Sequence, residues 1–317
     1  MDNNTVNDIC IYPGKYKPVD SANDNINIKE VYHRQKQYTK KVIVLDLDET
    51  IGSFTDLYRL WIIIDQYLKL SINKNISDYI SFSTILDLYP EFLRHGILHI
   101  LEFIYHKKKQ GDCSNVYLYT NNQIILNNES SSPTRWVSYI VNYLTLKICG
   151  SNTAKLFDKL ICAFKINKKI IEIKRTTNSK THADFIKCTV LPKRTEICFI
   201  DDNYYSGMEN ERVYYIQPKP YVHYLDGNTI IQRFIDSTLL QNIPFHLQNG
   251  LSYELYDCFE NLGNKITTKC EIEMDITITR KLMHYIREFF YLTTKRVKTR
   301  RIRQSPKQGT RRKFWIF

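Results

Sequence analysis

Glycine and proline are scarce in this chain, ten and nine among 317 residues. That excludes collagen-like and other fibrous architectures and argues against extensive disorder. Cysteine shows no organised pattern: Cys10, Cys113, Cys149, Cys162, Cys188, Cys198, Cys258 and Cys270 include no CxxC pair. Zinc-ligand spacing is therefore missing, and scattered thiols in a chain this long point to a reducing compartment rather than a disulfide framework. Long apolar runs are missing too. The most apolar stretch, Leu60-Trp61-Ile62-Ile63-Ile64, stops at Asp65 and is far too short to span a bilayer. The first residues, Met1-Asp2-Asn3-Asn4-Thr5, carry no signal-peptide pattern. A soluble intracellular protein of cytoplasm or nucleus, with no membrane partner, is expected. Neither HExxH, nor a P-loop, nor a GxSxG elbow occurs, and the eight histidines are dispersed.

What is present is unevenly distributed. The net charge is +12, yet the stretch from Lys295 to Lys313 holds ten basic residues and no acidic one. Taking those ten away leaves the rest of the chain at only +2. The basic character belongs to a tail, 295–317, and not to the body.

Residues 1–38 are rich in Asn, Asp and Lys and read as an extension that partly wraps a core. A core follows over 39–225, a helical region over 226–294, and then the basic tail. Within the core, Lys41–Asp46, Val116–Tyr119, Leu156–Phe164, Ile197–Ile200 and Val213–Ile216 read as strands. Asp56–Leu70 fits a helix. Ile97, Ile100, Leu101 and Ile104 mark another at 3.6-residue spacing, ended by Gly111-Asp112. Ser130–Pro133 is a helix-start signal, Lys165–Arg175 a basic hairpin-like segment, and Ala183–Lys187 a short helix. Alternating strands and helices predict an α/β sheet with right-handed crossovers. Leu282, Met283, Ile286, Phe289 and Phe290 form a stripe that should pack onto this body.

The chemistry-bearing residues sit where strands end. Val42-Ile43-Val44-Leu45 is a continuous apolar run, as for a parallel strand covered on both faces, and it closes on Asp46-Leu47-Asp48-Glu49-Thr50. Two carboxylates that close repel unless a cation lies between them, and Mg²⁺ is a hard ion that prefers oxygen ligands. A solvated acidic turn is the plain alternative. Two further strands end in Thr120 and in Asp201-Asp202-Asn203, with Lys187 before the last. Lys180 and Lys193 are alternatives for the lysine. Singly, each residue reads more easily as a cap, a solvated helix end or a turn. Together and in this order they match what phosphoryl transfer through an acyl phosphate needs: a carboxylate nucleophile, a second carboxyl as acid and base, a lysine and a divalent ion.

The pattern resembles a known family. Asp46-Leu47-Asp48-Glu49-Thr50 is similar to the DxDxT signature of haloacid dehalogenase-type phosphatases. Its DLDET form resembles the branch of NLI-interacting-factor-like and RNA polymerase C-terminal-domain phosphatases. The resemblance spans roughly residues 39–225. Leu93-Arg94-His95-Gly96 stands where relatives carry a Leu-x-Arg-Pro-Gly-like segment, with His95 in place of proline. It implies a three-layer, Rossmann-like parallel sheet with a small cap or none, here with a mainly helical C-terminal extension. It further implies a Mg²⁺-dependent phosphatase, with Asp46 as nucleophile and metal ligand. Asp48 would be the acid/base, giving its backbone carbonyl to the metal; Thr120 and Lys187 would contact the phosphoryl group; Asp201 and Asp202 would complete the metal site. That branch carries Asp-Asn at the last pair, so either aspartate is a candidate for direct metal contact.

The segments between motifs are too short for a large separate cap. A shallow site suits a phosphate displayed on a macromolecule, so a phosphoprotein with phosphoserine or phosphothreonine is the expected substrate. The basic tail has three open readings: a solvated extension, contact with nucleic acid, or contact with an acidic protein partner. Two other functions stay open: a catalytically idle module that binds nucleic acid or a partner, and a polynucleotide end phosphatase.

Overall fold

Successive residues of a strand face opposite ways, and here both faces are apolar. In a computed structural model of the chain, which describes residues 8–18, 40–122, 134–151, 153–166, 168–259 and 268–294, this produces a sheet buried on both sides. The strands are β1 (Ile9–Tyr12), β2 (Tyr16–Pro18), β3 (Lys41–Leu45), β4 (Asn115–Tyr119), β5 (Lys159–Ile161), β6 (Lys165–Ile166), β7 (Lys169–Ile170), β8 (Glu196–Ile200), β9 (Val213–Pro218) and β10 (Leu292–Thr294). The helices are α1 (Thr55–Ile72), α2 (Phe82–Leu88), α3 (Ile97–Gln110), α4 (Thr134–Cys149), α5 (His182–Thr189), α6 (Gly227–Ile235), α7 (Thr238–Gln241), α8 (Phe245–Phe259) and α9 (Lys269–Tyr291).

The main sheet runs β1-β9-β8-β3-β4-β5. All its pairings are parallel except β1 with β9. The fold is α/β, Rossmann-like and three-layered, with a helical C-terminal region. On β3, Ile43 and Leu45 enter one hydrophobic cluster, while Val42 and Val44 enter the other. The first cluster takes in α1–α4 and α6–α9; the second is closed largely by Phe185 and Cys188 of α5. Helices α1–α3, inserted between β3 and β4, thus bury their apolar faces in the same core as the sheet.

Most expected elements are found, with shifts that have local causes. Helix α3 ends where expected because Gly111 takes φ +83 and donates its N–H back to the last turn. The strand expected over Leu156–Phe164 contracts to β5, since Leu156 and Phe157 turn into the helix-side core and the Asp158 carboxylate accepts from the Val116 amide (2.8 Å). Strands β6 and β7 pair antiparallel, within the segment expected to be hairpin-like. Part of the amino-terminal extension is built into the fold: β1 joins the main sheet along β9, and β2 pairs with β10 in a separate two-stranded sheet. In α9, Leu282, Ile286 and Phe289 are fully buried, and side chains of this size each contribute about 1.5–3 kcal/mol when buried. Residues 1–7 and 19–39, the Ser130–Pro133 helix start and the basic tail 295–317 lie outside the described residues. Among the described residues, no helix is long and apolar enough to cross a membrane.

Taken in chain order, the parallel strands β3, β4 and β5 run one way from β3, and β8 and β9 the other. The direction of winding therefore reverses between β3 and β8. In open α/β sheets, ligands bind at the carboxyl ends of strands at such a reversal.

Candidate active site

Asp46 follows β3 and Asp201 follows β8, directly at this reversal. The Asp46 amide donates to the Ile200 carbonyl (2.9 Å), continuing the ladder one residue past the strand. Asp46, Asp201 and Asp202 are buried, and one carboxylate oxygen from each lies within 4.8 Å of the others. Asp48 stands outside that trio; the Asn122 amide group donates to its Oδ2 (3.0 Å). Its expected part through the backbone carbonyl concerns a different atom. Thr120 is buried at the end of β4, next to β3 in the register Leu45↔Leu118, and its hydroxyl accepts from the Asn122 amide (2.9 Å).

The lysine assignment changes. Lys187 lies in the last turn of α5, its side chain 57% exposed, with Asp184 as an acidic neighbour at 3.8 Å. Topology gives the reason. A crossover helix runs antiparallel to its strands, so its amino end lies at their carboxyl ends and its carboxyl end at the opposite edge. Lys193 is exposed just beyond that opposite edge, in the turn before β8. Lys180 comes immediately before the N-cap Thr181, whose side chain accepts from the Asp184 amide. Its ammonium is buried and donates to Asp46 Oδ1 (2.5 Å) and Asp201 Oδ2 (2.6 Å). The pattern Thr181-x-x-Asp184 was the signal that separates the two lysines, because it marks which end of the helix faces the site.

Electrostatics follow from three buried acids crowded beside one lysine that pairs with two of them. Burial drives the Asp202 carboxyl up to about 6, helped by the charge on Asp46 and opposed by the Thr50 hydrogen bond. Burial likewise raises Asp48 to about 7, with Asp46 again adding and the Asn122 and Lys180 contacts opposing. Asp201 is raised well above its ordinary range by burial, against the pull of Lys180. For Lys180, burial works to lower the pKa, but Asp46 and Asp201 outweigh it and the ammonium is held protonated. The Lys180 ammonium pairs with two of the three buried carboxylates, Asp46 and Asp201, so ionising all three leaves an excess of negative charge. Hard oxygen donors with such an excess fit a divalent cation such as Mg²⁺.

Two buried arginines frame the site. Arg175, on the hairpin-like segment, donates to the carbonyls of Thr120 (3.2 Å) and Cys162 (2.7 Å), to Asn121 Oδ1 (2.7 Å), and to the Asn178 carbonyl (3.0 Å). It ties the end of β4 to the loop carrying Lys180. At the end of a basic run it reads as a surface residue, and no sequence signal set it apart. Arg94, within the Leu93–Gly96 segment, binds the backbone of Glu49 and Thr50. Gly52 closes that loop: a Cβ there would strike the Phe92 carbonyl oxygen.

Compared with protein-family models and with curated proteins, the chain matches none. Fold and site together define a Rossmann-like α/β protein with a lysine-bridged acidic cluster at its switch point.

Proposed function

We propose that this chain is a Mg²⁺-dependent phosphatase acting through an aspartyl-phosphate intermediate on phosphoserine or phosphothreonine in proteins. The observation that carries the reading is Lys180 spanning Asp46 and Asp201 at the carboxyl ends of β3 and β8. In the first step a carboxylate oxygen of Asp46 attacks phosphorus, and Asp48 gives its proton to the departing seryl or threonyl oxygen. In the second, Asp48 takes a proton from water as that water attacks the acyl phosphate, releasing inorganic phosphate and regenerating Asp46. A carboxyl raised to about 7 suits both halves of that cycle. Lys180 holds Asp46 in place and offsets charge, and Thr120 has a hydroxyl hydrogen to offer a phosphoryl oxygen. Mg²⁺, held by carboxylates of Asp46, Asp201 and Asp202 and the Asp48 carbonyl, would neutralise charge on the transferring group.

A macromolecular substrate is supported by the way α1–α3 sink into the common core instead of forming a separate body over the strand ends. The test compares a phosphopeptide, a 5′-phosphorylated oligonucleotide and a small sugar phosphate, each with Mg²⁺ and with chelator. Phosphate release from the phosphopeptide, dependent on Mg²⁺ and lost in Asp46→Asn, is expected. Preference for the oligonucleotide or the sugar phosphate would overturn the substrate class, and Mg²⁺-independent turnover the metal role.

A further inference from the structure

Helix α9 reaches the acidic cluster through one buried guanidinium. The Arg94 side chain has no solvent exposure. Its Nε donates to the Thr50 carbonyl (2.8 Å), and its Nη2 to the carbonyls of Glu49 (2.7 Å) and Lys219 (2.8 Å). Its Nη1 pairs with Asp275 Oδ1 (3.1 Å), on α9. The second Asp275 oxygen accepts from the His95 amide (3.3 Å). Glu49 itself sits at φ +61, in the left-handed region that a residue with a Cβ keeps only when its surroundings impose it. Its carbonyl takes a further bond from the Tyr221 amide (2.8 Å). One residue on, the Thr50 hydroxyl donates to Asp202 Oδ1 (2.8 Å) and accepts from the Asp202 amide (3.0 Å). The bonds therefore run without a gap from Asp275 through Arg94 and Thr50 to Asp202.

We propose that Asp275 is a positioning residue: by pairing with Arg94 it holds the Glu49–Thr50 backbone and, through the Thr50 hydroxyl, sets the Asp202 carboxylate within the acidic cluster. The three carbonyls around Arg94 supply acceptors but no net charge, and a buried guanidinium needs a counter-charge. Asp275 supplies it; the next carboxylate acting on Arg94 is Asp202 itself. Without Asp275, the guanidinium draws on a member of the cluster and competes there with any cation. The consequence for catalysis rests on the phosphatase reading, whereas the coupling of Asp275 to Asp202 does not.

Amide hydrogen exchange on the full chain tests that coupling, with Asp275→Asn (the shape kept, the charge removed) beside Asp275→Ala. In the Asn variant the Asp202 and Tyr221 amides should exchange about tenfold faster, because their local acceptors loosen, while the Val116 and Leu118 amides of β4 stay unchanged. Mg²⁺ binding by calorimetry should weaken about tenfold, the usual effect of removing a group that orients a ligand. For p-nitrophenyl phosphate, kcat should fall with KM held. Unaltered exchange at Asp202 would overturn the proposal, and so would equal loosening of the β4 amides, which marks a general loss of stability. Should the Ala variant fail to fold, the Asn variant decides. A parent that neither binds Mg²⁺ nor releases phosphate would count against the phosphatase reading alone, since exchange at Asp202 still judges the coupling.

Discussion

The ammonium of Lys180 lies 2.5 Å from Oδ1 of Asp46, a buried pair whose members are 134 residues apart in the chain. The same nitrogen reaches Asp201 at 2.6 Å, so one cation joins the ends of two adjacent strands. Lys180→Met should therefore lower turnover of p-nitrophenyl phosphate by about a hundredfold or more, as when a preorganised donor is lost from a site. Lys187→Met, on the exposed end of α5, should leave the rate within about twofold, because exposed pairs contribute little. Steady-state kinetics on both purified variants decides it. Equal losses would return Lys187 to candidacy.

Asp46 acts on the titration of its neighbours as well as on turnover. Its charge helps raise the pKa of both Asp48 and Asp202. Asp46→Asn removes the nucleophile and should abolish turnover, yet relieve repulsion in the metal-free protein. The Asp48 carboxyl should then titrate below its present value of about 7, followed by carbon-detected NMR of the side-chain carboxyls. An Asp48 titration that does not move would show that burial alone sets it.

The sequence made legible what depends on local pattern. Strands β3, β4 and β8 stand out as apolar runs because both faces of a parallel sheet are covered, and their acidic or hydroxyl endings stand out with them. Asp46, Asp201 and Thr120 could thus be placed by reading along the chain. What needed the third dimension was harder. Lys180 precedes the short helix α5 and Lys187 lies in its last turn, and only the direction of that helix against the sheet tells which one meets Asp46. Arg175 binds mainly backbone carbonyls, acceptors that every residue offers, so no pattern of side chains announces it; Arg94 stood within the Leu93–Gly96 segment, but nothing in the sequence showed which carbonyls it would bind. Asp275 lies 181 residues from Arg94, on a helix whose apolar stripe says where it packs but not which carboxylate it delivers.

In the metal-free protein, Asp48 and Asp202 titrate at about 7 and about 6, against an ordinary value of 3.8. Between those limits the folded chain binds more protons than the unfolded one, so stability falls as pH rises. The contribution of these groups is complete below 3.8 and is lost as pH passes through about 6 and then about 7. Mg²⁺ binds ionised carboxylates and acts in the opposite sense. Thermal melts in chelator should give a lower Tm at about pH 7.5 than at about pH 5, with a flatter slope in Asp46→Asn. Added Mg²⁺ should raise Tm more at the higher pH. An equal Mg²⁺ shift at both pH values would separate the cluster from metal binding.

Phe289 decides whether α9 and the sheet unfold together. Its ring is fully buried, with the Tyr16 and Tyr214 rings at 5.8 Å and 6.1 Å and the Lys41 ammonium 4.9 Å from its centroid. The Lys41 ammonium also donates to the carbonyls of Phe289 and Leu292, so the end of α9 is fastened to the first residue of β3. Phe289→Ala should cost about 3–5 kcal/mol, the loss of a large buried side chain plus the cavity it leaves. Because the ring packs in the same cluster as Ile43 and Leu45 of β3, that cost should appear in a single transition. Far-ultraviolet dichroism would follow the helices, and tryptophan fluorescence the core around Trp61 and Trp136. Coincident denaturant curves, shifted together by the substitution, are the expected result. Two separated transitions, with only the dichroism curve moved, would make residues 226–294 a unit that folds apart from the strands bearing Asp46 and Asp201.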